Sequence, residues 1–365
     1  MSGSITQLVS IGAQDVYLTG SPEVSFFRAN YKRHTNFAHV VNRQVLQGAV
    51  NKAAMSSVRL ERKGDMVSYV YLTKRTGLTQ VQFVPTDIDH IDFLIGGQII
   101  DTQDNTFINY VADPLLCSTQ NKADFSTSQV GQTGYFYPLR FWFCENWQSA
   151  LPLISLQFHD VEIRIYWNAN ITATNIFECW ANFIALDTME RDMLANSGPQ
   201  KHLIYQVQKS LPSGTKVQNL VFNHPIKFIT TGYTGNCLVG TSIYTASPYN
   251  VSNNPTGAAN VPQNYTDTML FQVNGVDIGE QKAYTPHFDI VPSYYTCPLT
   301  TPSKNAFTIP FCLETSKLQP TGSLNFSRID SARLVSSNNF VSTIYAVNYN
   351  ILKIESGMGG LLYAN

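Results

Sequence analysis

Two stretches of this chain share one pattern. FCENWQSALPLISLQF runs from Phe143 to Phe158, and FCLETSKLQPTGSLNF runs from Phe311 to Phe326. Identities fall at Phe143/Phe311, Cys144/Cys312, Pro152/Pro320, Ser155/Ser323, Leu156/Leu324 and Phe158/Phe326, all at an offset of 168. The same offset continues without a gap to Asn170/Asn338, Ile176/Ile344 and Asn182/Asn350. A fixed register over so long a span points to a duplicated domain. A duplication constrains the architecture before any local feature does.

The length agrees, since 365 residues hold about two domains at ~150 residues each. Strand signals fill both halves. Val58, Leu60 and Arg62 alternate with Arg59 and Glu61, and MVSYVYLT follows the turn at Lys63-Gly64-Asp65. HIDFLIGGQIID (90–101) reads as a hairpin about Gly96-Gly97, and MLFQVNGVDIG as a hairpin about Asn274-Gly275. These hairpins match at an offset of 178 (Phe93 to Phe271), so the connection up to the Phe-Cys motif is shorter in the second half. HVVNRQVLQG (39–48) resembles HLIYQVQKSL (202–211), and 56–72 resembles 215–231. Helix signals are sparse: 105–112, stopped by Pro114, and 186–194, capped by Asp187 or Thr188. Each half thus reads as about eight short strands, the pattern of an antiparallel sandwich or jelly roll.

The predicted division is an arm over residues 1–24, a first β domain over 25–200 and a second over 201–365, parted at the polar stretch 196–200. The Pro- and Asn-rich stretch 247–264 reads as a long exposed loop. Arg28, Lys32, Arg33 and Arg43 are interleaved with Phe26, Phe27, Tyr31 and Phe37. That mixture is one nucleic-acid signature, but 24 basic against 25 acidic residues, net −1, give no general attraction to phosphates. Strand and subunit contact is the reading we adopt. No basic leader, myristoylation pattern or long apolar run occurs, and the six cysteines include no C-x-x-C pair. Reduced thiols packed as small hydrophobes, in a cytosolic setting, are expected.

Catalytic signatures are missing. No His-x-His metal strand, Gly-x-Ser-x-Gly elbow or phosphate-binding loop occurs. DIDHID (87–92) is the one acid/His cluster, able to hold a hard cation but more simply a solvated loop before a strand. His159-Asp160 at alternating strand positions would point to opposite faces, a poor dyad. Of the acceptor sequons at Asn170, Asn250, Asn264 and Asn325, the middle two look exposed. Catalytic, metal and cofactor residues are therefore expected to be none.

Several stretches resemble the major capsid proteins of the nucleocytoplasmic large DNA viruses: GAQDVYLTGSPEVSFFRANYKRHTNFA (12–38), ALPLISLQFHDVEIRI (150–165), LDTMERDML (186–194), PTGSLNFSRIDSARL (320–334) and YAVNYNILKIESGMGGLLYAN (345–365). The resemblance touches both ends and both halves in order. It implies an all-β double jelly roll, two consecutive eight-stranded antiparallel sandwiches with a few short helices. Three chains would form a pseudo-hexagonal capsomer tiling an icosahedral shell over an internal membrane. Self and neighbouring capsomers, with minor capsid proteins, are the implied partners; no direct nucleic-acid contact is implied, and assembly is expected in the host cytoplasm. The chain is short for that family, and its second half lacks a long insert between hairpin and Phe-Cys motif. Composition alone leaves open a carbohydrate-binding double sandwich, suggested by 19 Tyr and 4 Trp, or a coat for nucleic acid through 28–43. The resemblance also leaves open a minor capsid paralogue.

Overall fold

Alternating burial runs along the extended segments, as a sheet covered on one face requires. In Val161–Trp167 every second side chain is buried, from Val161 to Trp167. A computed structural model describes residues 7–29, 31–81, 83, 87–117, 136–171, 174–231, 268–288, 290–297, 307–340 and 342–364. The predicted loop 247–264 lies outside the described residues. The chain divides into two compact units, residues 1–36 and 37–365.

In the larger unit the first half carries β1 (Phe37–Gln44), β2 (Leu46–Gln47), β3 (Met55–Arg59), β4 (Met66–Thr76), β5 (Thr79–Gln80) and β6 (Ile88–Ile95). It continues with β7 (Gln98–Asp104), β8 (Phe136–Pro138), β9 (Leu151–Pro152), β10 (Val161–Trp167) and β11 (Asn175–Leu186). The second half carries β12 (Gln200–Ser210), β13 (Val217–Asn219), β14 (Pro225–Thr231), β15 (Thr268–Val273), β16 (Val276–Asp277) and β17 (Lys282–Ala283). It ends with β18 (Thr308–Pro310), β19 (Leu324–Asn325), β20 (Ala332–Ser336), β21 (Ile344–Glu355) and β22 (Met358–Leu361).

The sheet order repeats. β1–β11–β4, with β8 and β9 also on β4, recurs as β12–β21–β14 with β18 and β19 on β14; β3–β10–β6–β7 recurs as β13–β20–β15–β16. All these pairings are antiparallel, as in a jelly roll. Short extra strands raise the number above the eight expected per half. Between the sheets of the second half, Ile226, Ile229, Ile344 and Ala346 meet Met269, Phe271 and Leu334. The first half's core is larger. It joins Val70, Leu72 and Cys179 to Phe93 and Ile163, and extends into Phe228, Tyr345 and Val347 of the second half.

The two hairpins match as predicted. Ile95 pairs with Gln98 and Val273 with Val276. Gly96 and Gly97 have φ of 58° and 82°, and Asn274 and Gly275 have 51° and 79°, the positive pair that a two-residue turn needs to follow the strand twist. Phe93 and Phe271 sit opposite Ile163 and Leu334 of the matching strands β10 and β20.

The offset of 168 is not the structural register. Pro138 and Pro310 hold the same place on β4 and β14, an offset of 172. Leu151 and Leu324 match at 173, Ile163 and Leu334 at 171, and Cys179 and Ala346 at 167. Phe143 lies in the helical turn Trp142–Glu145, whereas Phe311 follows β18 directly; neither Phe-Cys is on a strand. Pro152 is in β9, but Pro320 lies in the loop before β19. The equivalence of these residues is therefore corrected, although the duplication of topology stands. Loops of unequal length move the register at each connection, which an ungapped comparison cannot follow.

Helices are short. Thr188–Ala195 follows Asp187 at the N-cap, which makes no side-chain cap bond. The predicted helix at 105–112 does not stop at Pro114. Phe107–Ala112, a π-helical stretch, runs on into Asp113–Leu116, so the proline lies within the helical run. The separate unit of residues 1–36 holds the turn-length helix Val16–Thr19, and Leu8, Ile11, Tyr17, Leu18, Phe26, Phe27 and Tyr31 are exposed.

Candidate functional site

The outer face of β12–β21–β14, turned away from the second half's own core, is where the two halves of the large unit meet. Tyr205 pairs with Tyr349 and Val207 with Val347, and Phe228 flanks Val347 on the other side. Their side chains therefore share a face. The first half covers it. Val207 N–H donates to Asp101 Oδ1 at 2.9 Å, the Tyr205 hydroxyl to the Arg140 carbonyl at 3.1 Å, and the Tyr345 hydroxyl to Asp104 Oδ2 at 2.8 Å. The Gln206 amide donates to the Ile100 carbonyl, and the Phe107 ring lies 5.7 Å from that of Tyr345. At the far end the β21–β22 turn clasps the first half. Phe158 N–H donates to the Gly357 carbonyl at 2.9 Å, and His159 Nδ1 lies 2.9 Å from the Gly359 oxygen. A Cβ at Gly359 would stand 2.6 Å from Leu156 Cδ2, so a side chain there would have to displace that leucine.

Burial sets the electrostatics of this joint. The Asp101 carboxyl is pushed up to about 7, burial outweighing the hydrogen bonds from Val207 N–H and Gln103 Nε2. Burial also raises the Tyr205 and Tyr345 hydroxyls. Lys227, buried on the bulge of β14, is lowered to about 8 by desolvation; its Nζ donates to the Lys317 carbonyl at 3.2 Å and lies 5.8 Å from the centre of the Tyr349 ring.

The first half has the same face in different surroundings. Trp180 lies between Arg43 and Tyr71, as Val347 lies between Val207 and Phe228. Here the side chains remain half-buried or exposed. Tyr69 packs edge-on against Trp147 at 5.8 Å, and Tyr71 against Phe136 at 6.1 Å. Between them opens a hollow of about 710 Å³ lined by Tyr69, Tyr71, Phe136, Leu139, Phe143 and Trp147. At the matching place in the second half, beside Lys227 and Tyr349, only about 20 Å³ remains, because Leu116 and Trp142 of the first half close it.

The residues singled out in the sequence do not converge on a catalytic centre. Asp87 is not in a solvated loop; it is buried and accepts from Lys74 Nζ at 2.7 Å in an ion pair. Ile88–Asp92 already belong to β6, with Asp92 accepting from Thr102 Oγ1 and His90 stacked on Tyr166 at 4.0 Å. Among the described residues no group of His, Cys, Asp and Glu could hold a metal ion. His159 and Asp160 lie in a bend before β10, not on it; His159 faces Gly359 and Asp160 pairs with Arg59. Asn170 and Asn325 are exposed, contrary to expectation, while Asn250 and Asn264 lie outside the described residues.

The basic–aromatic stretch is divided between the two units. Arg28, Lys32 and Arg33 fall in the small unit, whereas Arg43 is on β1 and pairs with Glu178 at 3.2 Å. No disulfide joins the cysteines among the described residues, and burial raises the thiols of Cys144, Cys312 and Cys179, the last to about 12. Asp101 and Lys227 escaped the sequence reading. Asp101 looked like the end of a hairpin strand, and only a lysine within an otherwise apolar strand, PIKFITT, marked Lys227.

Comparison with known proteins gives these faces a context. Residues 25–200 match the family described as major capsid protein N-terminus, and residues 190–360 match the large eukaryotic DNA virus major capsid protein. The fold superposes on the quasi-atomic model of the PBCV-1 virus capsid with a TM-score of 0.74 at 26% identity, covering 93% of this chain and 100% of that one. The Faustovirus major capsid protein gives 0.61 at 12% identity over 95% of each chain, a likeness of fold. The major capsid protein of Paramecium bursaria Chlorella virus 1 is 31% identical over 443 aligned positions, and that of Pyramimonas orientalis virus 31% over 422, each covering 100% of both chains. Both alignments are longer than the 365 residues here, so these relatives carry segments that this chain lacks. On the strength of identity running the whole length of both chains, and of two family matches that together span 25–360, this chain belongs to the major capsid proteins of the large eukaryotic DNA viruses.

Proposed function

We propose that this protein is a shell-building subunit of a virion, with three copies forming a pseudo-hexagonal capsomer in an icosahedral outer capsid. The observation that carries this reading is the repeated sheet order within one chain. Three single sandwiches about a three-fold axis would leave a triangle, whereas two similar sandwiches per chain place six similar blocks there. Head-to-tail contacts that close after three subunits suit this geometry. Permanent contacts of that kind bury on the order of 2,000 Å² or more and are apolar, which fits a charged content of only 13%. The role is structural rather than enzymatic. We assign the two sandwiches to 25–200 and 201–365, and residues 1–24 to an arm that ties the capsomer to neighbours or to minor capsid proteins on the membrane side. With no Lys or Arg before Arg28, that arm is unsuited to packaged nucleic acid. Buried, unoxidised thiols such as Cys179 fit assembly in the host cytoplasm.

Light scattering and electron microscopy of the purified protein test the reading together. A stable trimer and hexagonal particles about three chains in size are expected. A monomer that binds glycans, or a steep salt-dependent affinity for DNA, would overturn it. Removing residues 1–24 is expected to leave the trimer intact and to impair shell assembly; loss of the trimer would refute the arm assignment.

A further inference from the structure

We propose that the open hollow over β4 is the seat of a second copy of this chain, filled by the edge of that copy's second half that carries Ile278 and the helix Ile290–Thr296. The inference rests on the capsomer reading and names the two surfaces that would close it.

One chain already makes such a contact with itself. In the second half, the outer face of β12–β21–β14 and the hollow beside Lys227 are covered by the first half, through β7, the helical segment ending at Leu116 and the turn at Trp142. Both parts of this contact exist twice, because both halves have the same strand order. The first half has the receiving face, with Trp180 in the place of Val347 and Tyr71 in that of Phe228, but its hollow of about 710 Å³ is open. The second half has the covering edge, but among the described residues that edge stays exposed. Ile100, three residues past the first hairpin turn, is fully buried, whereas Ile278, three past the second, is 55% exposed. Leu116, at the end of the first half's helical segment, is buried. Tyr294 and Tyr295, at the end of the second half's helix, are 71% and 75% exposed.

Each chain therefore ends with one unfilled socket and one unused edge, on different halves. Their chemistry matches. The socket is walled by Tyr69, Tyr71, Phe136 and Trp147, and the edge offers Ile278, Tyr294 and Tyr295. Aromatic side chains of this kind gain most when a ring enters a desolvated pocket. Socket and edge are different surfaces, so the contact is heterologous; repeating it closes a ring or runs on as a filament. A contact of one half on the next, already made once inside the chain, supplies every junction of a six-block ring.

Two measurements on the full chain test this. Sedimentation of Trp147→Glu is expected to show association weakened by more than about tenfold, with circular dichroism and melting of the dissociated chain as the folding check. Leu78→Glu, on a fully exposed turn outside the hollow, is expected to associate like wild type. Independently, Tyr71→Cys and Tyr294→Cys combined in one chain are expected to give bismaleimide-linked species up to three chains, well in excess of any given by wild type through its own Cys144 and Cys297. If Trp147→Glu stays trimeric and the double variant yields no more interchain product than wild type, the surfaces named here are wrong while the trimer stands. If wild type itself is monomeric, the capsomer reading fails and this contact with it.

Discussion

Phe93 and Phe271 occupy the same place in the two halves, yet they sit in different company. The Phe93 ring lies 5.2, 5.2 and 5.0 Å from those of Phe141, Trp142 and Phe143. Phe271 has Phe311 at 5.9 Å. The contrast extends outward. The first half has an aromatic and charged outer sheet face that is open, and the second has an apolar and aromatic one closed by its neighbour. Duplication preserved what strand pairing demands, the order of strands and the two hairpin turns. It left free whatever depends on which neighbour each sandwich meets. The side chains diverged there, with Trp180 against Val347 and Arg43 against Val207 across matching positions.

The largest test of this contrast is truncation at the matched phenylalanines. Phe→Ala in a core costs about 3–5 kcal/mol. Phe93→Ala is expected at the top of that range and Phe271→Ala nearer the bottom. Because the first core reaches Phe228, Tyr345 and Val347, Phe93→Ala should lower the stability of both halves in one denaturant transition. Separate transitions, or a larger loss from Phe271→Ala, would break the comparison.

Next comes Asp101, whose position four residues past the turn is Gly279 in the second half. Asp92, Tyr205, Gln103 Nε2 and Val207 N–H surround its carboxyl. A folded value raised from 3.8 to about 7 means that the folded state holds a proton which the unfolded state releases. The stability gained is full below about pH 4 and lost as pH rises through about 7. Asp101→Asn should flatten this slope, worth on the order of 3 kcal/mol, in melts at pH 4 to 8. An unchanged slope would remove Asp101 as the cause.

The turns give a smaller, sharper contrast. A Cβ on Gly96 would stand 2.4 Å from His159 Nδ1, whereas Asn274 already carries one at φ 51°. Gly96→Ala should cost about 2 kcal/mol, since strain adds to displacement of His159. Asn274→Ala should cost about 1 kcal/mol through loss of the bond from Ser331 N–H. Equal losses would show that turn conformation alone matters. The smallest effect concerns Lys227, on the β14 bulge that corresponds to Ser68–Val70 of β4. Its depression from 10.5 to about 8 is a penalty complete below pH 8 and absent above about 10.5. Lys227→Met should therefore stabilise at pH 7 by about 1 kcal/mol, a gain that fades toward pH 10; destabilisation at pH 7 would show that its bond to Lys317 outweighs burial.

Much of this was legible in the residues. Asn274-Gly275 and Gly96-Gly97 named both turns and their offset of 178, because few residues tolerate the backbone that such turns need. The β-branched and aromatic run MVSYVYLT marked β4, whose residues alternate toward the core. What failed was register. Matching Ile176 with Ile344 overlays a residue 42% exposed on one fully buried, because the strands correspond at 167 rather than 168. A slip of one residue turns every side chain to the other face.

Sequence by itself determined that this chain is a duplicated, antiparallel β protein, since hairpin turns and alternation are local demands on backbone and burial. Only the tertiary structure decided what covers each face. Burial of Tyr345 and Val347 states that something lies over them; that it is the first half, leaving the equivalent face around Trp180 and Tyr71 open, follows from contacts between segments more than 100 residues apart. Periodicity records that a surface is removed from water, but not which part of the chain removes it.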